Sequence, residues 1–184
     1  MRKLSAYNFL TLNGFYKGPG NDTSWHKHGA EENEYASDSL KSDNILLFGR
    51  VTYELMASYW PTPFAIENDP AVAKGMNDAE KIVFSNTMKN AGWNNTRIIS
   101  GNILDEMKKL KQTPGKDLTI LGSGSIITQF ADAGLIDGYE IMIDPVALGD
   151  GTPIFKGIKH QLDLKLTNSH MFKSGVVLLS YELK

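Results

Sequence analysis

Two short turns in the chain join an apolar run to a helix-like stretch, and both carry residues that can hold an anion. The first contains Gly49, Arg50 and Thr52, and the second contains Gly122, Ser123, Gly124 and Ser125. The first backbone N–H groups of a helix have no partner inside the helix and carry partial positive charge, so phosphate binds there readily. Glycine lets the backbone approach such an anion, serine hydroxyls add donors, and arginine adds a fixed charge. Together the two turns predict a site for a phosphate-bearing ligand.

Each turn also has an ordinary structural explanation. Gly49 can simply end a strand, Thr52 can cap a helix, and residues 122–125 can form a surface turn. The chain also lacks the two common phosphate fingerprints, since no G-x-G-x-x-G motif follows the first strand and no G-x-x-x-x-G-K-[ST] motif occurs. A simple Rossmann domain and a P-loop phosphotransferase are therefore not indicated.

His26 and His28 form a His-x-His pair, which raises the question of a metal site. Residues two apart do not share a helix face, and no third ligand is evident in the sequence. The chain has no cysteine, so thiolate-based metal sites and thiol nucleophiles are excluded. We therefore expect no metal.

The overall composition is that of one ordinary domain. Of 184 residues, 41% are hydrophobic and 22% are charged, and we expect a single domain over residues 1–184. The net charge is −2, so no basic surface exists to attract nucleic acid or anionic lipid. The N-terminal segment lacks an apolar signal region, and no stretch approaches membrane-spanning length. The expected protein is cytoplasmic, without nucleic-acid or membrane partners.

Alternating apolar runs and helix-length segments predict an α/β fold with a mostly parallel sheet and helices on both faces. Strands are predicted at residues 4–12, 45–48, 81–85, 96–100, 117–121 and 139–148, with a terminal hairpin at 162–172 and 176–183. Helices are predicted at residues 23–40, 52–59, 70–78, 103–113 with Asn102 as cap, and 126–134. The proline-rich stretch 59–70 is predicted to be a loop.

This arrangement places the two glycine turns together. Sheets of this type bind ligands beyond the carboxyl ends of their strands, and both turns follow such ends. The functional explanation of the two turns is therefore favoured over two separate structural ones.

Five segments in order, among them "LLFGRVTYELMASYWP" and "LTILGSGSIITQF", give the chain a family resemblance. It resembles the dihydrofolate-reductase-like superfamily, and most closely the reductase domain of the bifunctional riboflavin-biosynthesis deaminase-reductase, the RibD C-terminal domain family. The resemblance covers essentially the whole chain. It implies a three-layer sandwich around a mixed, mostly parallel eight-stranded sheet. It also implies NADPH bound across the carboxyl edge, with a reducible heterocycle beside the nicotinamide.

The resemblance also assigns roles to residues of the chain. Gly49, Arg50 and Thr52 correspond to the turn at the adenosine-phosphate side of the cofactor, and residues 122–125 to the pyrophosphate turn. The turn that faces the adenosine 2′-phosphate corresponds to Ser85, Asn86 and Thr87. Residues 14–20 match a mobile loop over the nicotinamide. Thr11 stands where the riboflavin branch often has serine and is a candidate catalytic residue.

Two departures weaken a narrower assignment. Asn13 stands where the branch usually has aspartate, and Asn86 where many relatives have a basic residue. The first weakens assignment to the riboflavin enzyme, and the second weakens selectivity for NADPH. The zinc signature of the deaminase domain is absent as well, so a riboflavin role would need that activity on another chain.

The substrate side is less well defined by the sequence. In folate reductases a carboxylate on the helix after the first strand holds the pterin, and Glu32 is the first choice here among the acidic residues Glu31, Glu32, Glu34 and Asp38. Most helix carboxylates are solvated surface groups, which is the competing explanation. Trp25, Tyr35 and Trp60 are candidates to line a pocket for a flat ring, although aromatic residues more often pack in the core.

Two hypotheses of function follow. The favoured one is an NADPH-dependent reductase of a small heterocycle, either a dihydrofolate- or pterin-like compound or a riboflavin precursor of the 5-amino-6-(5-phosphoribosylamino)uracil type. The alternative is a nucleotide-binding module on the same fold that has lost turnover. A homodimer is expected, because the riboflavin branch commonly dimerises and the apolar terminal hairpin would otherwise expose an edge.

Overall fold

The architecture is an eight-stranded sheet with helices on both faces and a small two-stranded ladder beside it. The computed structural model describes residues 1–27 and 29–184, and in these residues it contains ten strands and six α-helices. The strands are β1 Leu4–Thr11, β2 Phe15–Lys17, β3 Ile45–Gly49, β4 Lys81–Phe84, β5 Thr96–Ile99, β6 Leu118–Leu121, β7 Gly138–Asp144, β8 Thr152–Pro153, β9 Leu164–Met171 and β10 Val177–Leu183. The helices are α1 Ala30–Leu40, α2 Arg50–Tyr59, α3 Pro63–Asn68, α4 Pro70–Asp78, α5 Ile103–Gln112 and α6 Gly124–Asp132.

The strand order in the sheet is β5-β4-β3-β6-β1-β7-β10-β9. All pairs from β5 to β7 are parallel, and the last two, β7 with β10 and β10 with β9, are antiparallel. This confirms the expected mixed sheet with a terminal hairpin. The parallel strands direct their carboxyl ends to one edge, which places the β3–α2 and β6–α6 turns next to each other.

Three apolar clusters hold the layers together. Met107 of α5 and Phe130 of α6 pack on one face of the sheet, within a cluster of fully buried strand residues. On the other face, Phe48, Tyr53 and Trp93 form a second cluster beneath α2 and α4. A third cluster lies under α1 and the terminal hairpin and contains Met142, Phe172, Val176 and Leu178. Helices therefore cover both faces, as the buried parallel strands require.

Several element boundaries differ from the sequence predictions. The helix predicted from residue 23 begins only at Ala30, because Asp22 accepts a hydrogen bond from the backbone of Ser24 (2.9 Å) and holds that segment in a turn. The predicted loop 59–70 contains α3, since Thr62 caps the helix by accepting from the Ala65 N–H and proline is favourable at the first helical position. The cap predicted at Asn102 is confirmed.

Smaller shifts affect the elements at the ligand-binding edge. Helix α2 begins at Arg50, two residues before its predicted start, and α6 begins at Gly124 rather than at residue 126. Strand β7 ends at Asp144, before Pro145, because proline has no N–H to continue a ladder. The ladder between β2 and β8 was not predicted.

Candidate functional site

The two glycine turns are joined to each other at the carboxyl edge of β3 and β6. The Ser123 hydroxyl accepts a hydrogen bond from the Gly49 N–H (2.9 Å) and donates to the Leu121 carbonyl (3.3 Å). Ser123 has a left-handed backbone, with φ of 59°, which turns the chain sharply into α6. The Ser123 hydroxyl therefore joins the two turns to each other.

Both helices that leave these turns open toward the same space. The cap residue of α2 is Gly49, which has no side chain, and the hydroxyl of Ser123, the cap residue of α6, bonds no backbone N–H of its own helix. The first N–H groups of two helices therefore face one region, and their partial charges add there. This is an anion-binding arrangement built from backbone alone.

A cavity of about 1130 Å³ runs along this edge and continues beneath α1. All of the proposed cofactor residues except Thr87 line it: Gly49, Arg50, Thr52, Ser85, Asn86, Gly122, Ser123, Gly124 and Ser125. Trp25 and Trp60 also line it. Thr87 is exposed, and the side chains of Thr11, Glu32 and Tyr35 lie outside the cavity wall.

Arg50 lies at the rim of the cavity and is half exposed. Its guanidinium donates to both carboxylate oxygens of Glu54, one helical turn away, at 3.0 Å. An exposed ion pair of this kind is worth little, so the arginine can exchange it for a phosphate. It is the strongest fixed positive charge on this turn.

The turn after β4 is organised by its own side chains. The Ser85 hydroxyl accepts from the N–H groups of Thr87 (3.2 Å) and Met88 (3.0 Å). The Asn86 carbonyl oxygen accepts from the Gly101 N–H (2.6 Å). Ser85 and Asn86 therefore shape the cavity wall, and Asn86 keeps only its amide N–H₂ available for a ligand.

The loop at residues 14–20 is anchored below the cavity and covers part of it. The buried Thr11 hydroxyl donates to Asn13 (2.8 Å) and accepts from the Phe15 N–H (2.9 Å). Asn13 in turn donates to the Leu148 carbonyl (2.7 Å). Thr11 and Asn13 thus fix the base of the loop, which is a positioning role.

Tyr16 brings this loop onto the second glycine turn. A side chain at Gly124 would meet the Tyr16 ring, since a Cβ built there lies 2.6 Å from two ring carbons. Burial raises the pKa of the Tyr16 hydroxyl, which therefore stays protonated and can donate a hydrogen bond. Gly124 is required here for the close approach of an aromatic ring to the start of α6.

The carboxylates of α1 do not line the cavity, so the structure gives no support to the interpretation of Glu32 as a substrate ligand. Glu32 is 1% exposed and accepts a short hydrogen bond from the Ser174 hydroxyl, and Glu31 accepts from the Lys173 N–H (2.9 Å). Both residues attach α1 to the turn between β9 and β10. Their role in this arrangement is structural.

Two carboxylates line the cavity: Asp69, which accepts a hydrogen bond from the Asn33 side chain (2.7 Å), and Glu140 of β7, which sequence reasoning missed. Glu140 accepts a hydrogen bond from the Tyr35 hydroxyl (3.0 Å) and is paired in register with Tyr7 of β1. Burial, followed by the nearby Tyr35 and Glu140, raises the pKa of Tyr7. Strand alternation within β7 would have placed Glu140 on the α1 face, had the register with β1 been known.

A second missed feature is a buried pair formed by His26 and Asp144. The His26 Nδ1 atom lies 2.9 Å from both carboxylate oxygens, and the two side chains are 6% and 4% exposed. The imidazole stacks on Phe9 with ring centroids 3.6 Å apart, and His26 lines the cavity. His26 is thus bonded to a carboxylate, while His28 lies outside the described residues. Nowhere in residues 1–27 and 29–184 do three His, Asp or Glu side chains cluster as metal ligands would.

Asn8 of β1 offers a buried donor at the centre of the edge. Its side chain is 4% exposed and lines the cavity, and its carbonyl oxygen accepts from the Phe9 N–H (2.9 Å). Its Nδ2 atom has no hydrogen-bond partner within the described part of the chain. Strand β6 ends at Leu121 while β1 continues to Thr11, so the sheet opens beside Asn8. An unpaired buried amide is costly, which makes this position suited to a polar ligand atom.

The chain is similar to proteins of a known family. A model of the RibD C-terminal domain matches residues 2–178. The chain belongs to this family. A relative from Bacillus subtilis strain 168, the uncharacterized protein YyaP, is 34% identical over 172 residues, covering 94% of this chain and 90% of the relative. The family expectation from the sequence is therefore confirmed.

Solved structures confirm the fold. A putative riboflavin biosynthesis protein from Shewanella sp. PV-4 superposes with a TM-score of 0.76 at 19% identity, covering 99% of both chains. The dihydrofolate reductase of Enterococcus faecalis, solved in complex with NADP(H), gives a TM-score of 0.66 at 14% identity over 99% of this chain and 96% of that one. The dihydrofolate-reductase-like fold is thereby established. Across the two described ranges, no helix has both the length and the apolar character to cross a membrane.

Proposed function

We propose that this protein is an NADPH-dependent reductase that transfers a hydride to a small heterocycle. The observation that carries the proposal is the meeting of two helix N-termini, α2 and α6, at one end of a cavity of about 1130 Å³. The rest of the cavity runs beneath α1, and its lining includes aromatic and apolar residues and the carboxylates of Asp69 and Glu140. The helix N-termini would hold the charged cofactor, and the space beneath α1 would hold a flat neutral ring beside it.

The residues at the edge fit the cofactor. The turn at residues 122–125 would hold the pyrophosphate with backbone N–H groups, and the turn at Gly49, Arg50 and Thr52 the adenosine-phosphate side. Arg50, with help from Ser85, Asn86 and Thr87, would bind the 2′-phosphate. The unpaired Nδ2 of Asn8 is a suitable donor for an oxygen of the nicotinamide end. NADPH in this site would supply the hydride.

The inner compartment fits an aminopyrimidine or pterin edge. Glu140 can accept hydrogen bonds from a ring N–H and an exocyclic amine together, as a carboxylate has two acceptor oxygens. Tyr35 would hold Glu140 in place through its hydroxyl, while Trp25 and Trp60 form part of the cavity wall. The proposed substrates are therefore a dihydrofolate- or pterin-like compound or a compound of the 5-amino-6-(5-phosphoribosylamino)uracil type.

Two measurements test this function. Calorimetric titration with NADPH should give one saturable site per chain, and NADPH absorbance should fall when dihydrofolate or 5-amino-6-(5-phosphoribosylamino)uracil is added. Binding without oxidation across a broad panel of heterocycles would favour the alternative, a nucleotide-binding module. Absence of NADPH binding would contradict both.

We also propose that the protein is a homodimer. Strand β9 is the outer strand of the sheet on the hairpin side, and most of its residues are exposed, including Leu166 and Met171. An uncovered edge strand with apolar side chains is suited to pair with a second copy.

A further inference from the structure

We propose that the cavity beneath α1 selects an uncharged substrate, a heterocycle with a hydroxylated side chain and without a phosphate or glutamate tail, and that Asp69 disfavours the anionic forms. This proposal rests on the proposed reductase function and deepens it, because it narrows the substrate class of the same site. The observation that carries it is the distribution of charge along the cavity wall, with cations near the helix N-termini and carboxylates beneath α1.

The lysine and the arginine among the described lining residues both lie where the cofactor is proposed to bind. Arg50 begins α2 at the rim of the cavity. Lys17 follows Tyr16 on β2, and its Nζ atom lies 5.5 Å from the centre of the Tyr16 ring, which approaches Gly124 at the start of α6. The phosphates of NADPH would therefore be the anions that these two cations neutralise.

The carboxylates of the cavity wall are attached to α1 instead. Asp69, between α3 and α4, accepts a hydrogen bond from the Asn33 side chain (2.7 Å), and Glu140 accepts one from the Tyr35 hydroxyl (3.0 Å). In the part of the chain that the structure describes, neither carboxylate forms an ion pair with a lysine or an arginine. The wall beneath α1 therefore carries negative charge.

His26 is the remaining titratable base among the described lining residues. Its Nδ1 atom lies 2.9 Å from both carboxylate oxygens of the buried Asp144. The aspartate neutralises a protonated imidazole, and beside a neutral imidazole it leaves a negative charge. In either state the pair adds no net positive charge to the cavity.

Asp69 is partly buried in a largely apolar part of the wall. Its partner Asn33 shares one face of α1 with Ala36, three positions on, and both line the cavity. Trp60 and Val72, which pack in the second apolar cluster, line it as well. Apolar neighbours exclude water, so the charge of Asp69 acts more strongly on a ligand than a charge at an open surface would.

Neutral hydroxyl and amide groups of the sheet line the same cavity. They belong to Ser5 of β1, Thr119 of β6 and Asn44, which directly precedes β3. The Thr119 hydroxyl accepts from the Asn44 amide (3.0 Å) and lies 3.1 Å from the Ser5 hydroxyl. Such groups can bond the hydroxyls of a substrate side chain, since a hydroxyl both donates and accepts.

These features favour a neutral side chain over an anionic one. A phosphate monoester carries up to two negative charges, and a glutamate tail carries carboxylates of its own. Either would be repelled by Asp69 and Glu140, whereas the hydroxyl of a neutral side chain could donate a hydrogen bond to Asp69. Steric exclusion of a long tail is the competing explanation.

Two ligand pairs measure the preference, each with NADP⁺ present. Dihydrobiopterin and dihydrofolate share a ring but differ in tail, and 5-amino-6-ribosylaminouracil differs from 5-amino-6-(5-phosphoribosylamino)uracil by the phosphate alone. For the ring type that binds, calorimetry should show the neutral member bound about tenfold or more tightly in the wild-type protein. The preference should shrink as ionic strength rises, which steric exclusion does not predict.

Asp69→Asn separates charge from size, because asparagine has nearly the same volume and can still accept the bond from Asn33. It should reduce the preference by about fivefold or more while the dissociation constant for NADPH stays within about twofold. Asp78→Asn is the matched control. It removes the same charge from the last residue of α4, where the side chain is 64% exposed and paired with Lys74, and it should leave the preference unchanged.

Three results would overturn the proposal. They are equal or tighter binding of the anionic members to the wild-type protein, an unchanged preference in Asp69→Asn, and failure of both ring types to bind with NADP⁺. The expected preference together with no oxidation of NADPH would support this selectivity and contradict the proposed reductase function, so the two failures are distinguishable.

Discussion

Arg50 is the residue on which the choice of cofactor should depend. The 2′-phosphate that distinguishes NADPH from NADH carries up to two negative charges and needs charged donors. Asn86 can give only neutral hydrogen bonds, and its carbonyl oxygen already accepts from Gly101. Arg50 is half exposed at the rim, with an i,i+4 ion pair to Glu54 that it can give up.

Arg50→Ala should weaken NADPH binding by roughly ten- to a hundredfold, because a hydrogen bond to a charged group is worth about 1.5–3 kcal/mol. Binding of NADH should change much less. The check is a set of dissociation constants for both cofactors at one fixed ionic strength. Lys116→Ala is the control, since it removes the same charge from a residue that pairs with Asp43 and Glu80 away from the cavity. Equal losses for both cofactors would instead assign Arg50 to the pyrophosphate.

Glu140 should govern the substrate and leave the cofactor unaffected. Glu140→Gln replaces an acceptor-only group with one that also presents donors, so the KM for the heterocycle should rise by about tenfold or more while the NADPH dissociation constant stays the same. Glu32→Gln is the matched comparison on α1. It should lower the melting temperature, because it disturbs the buried bond to Ser174, and leave the KM unchanged. The reverse pattern would restore the interpretation of Glu32 as the substrate ligand.

The start of α6 and the loop that carries Tyr16 pack closely against each other. Gly124→Val puts a β-branched side chain where the Tyr16 ring lies, so both the loop and the approach of the pyrophosphate should be displaced. NADPH binding should weaken by at least tenfold in a folded variant, as measured by calorimetry and circular dichroism. Gly92→Val, at a glycine with open space around it, should bind NADPH like wild type. Unchanged affinity in Gly124→Val would mean that residues 122–125 are only a turn.

The elements also show where sequence reasoning succeeds and where it stops. Local signals sufficed for the sheet edge, since β3 ends at Gly49 and β6 at Leu121, and a helix starts within three residues of each end. They did not suffice for Glu140, whose place in the cavity wall depends on the register of β7 against β1. The bond that Glu32 makes is hidden from local patterns for a related reason, since its partner Ser174 lies 142 positions away.

The exposed edge of the sheet at β9 predicts that two chains assemble into a homodimer. Light scattering at micromolar concentration should give the mass of two chains. Replacing Leu166, which is 49% exposed on β9, with lysine should shift the equilibrium toward the monomer, because a charge on an edge strand opposes pairing. A wild-type monomer under these conditions would contradict the prediction without affecting the proposed site.

A crystal structure with NADPH bound is the decisive measurement for the proposed reductase. We expect the pyrophosphate on the N–H groups at the start of α6, the 2′-phosphate beside Arg50, and the nicotinamide near Asn8. We also expect free space between the nicotinamide and Glu140 for the substrate ring. A cofactor bound elsewhere, or with its adenosine end beneath α1, would contradict the proposed function.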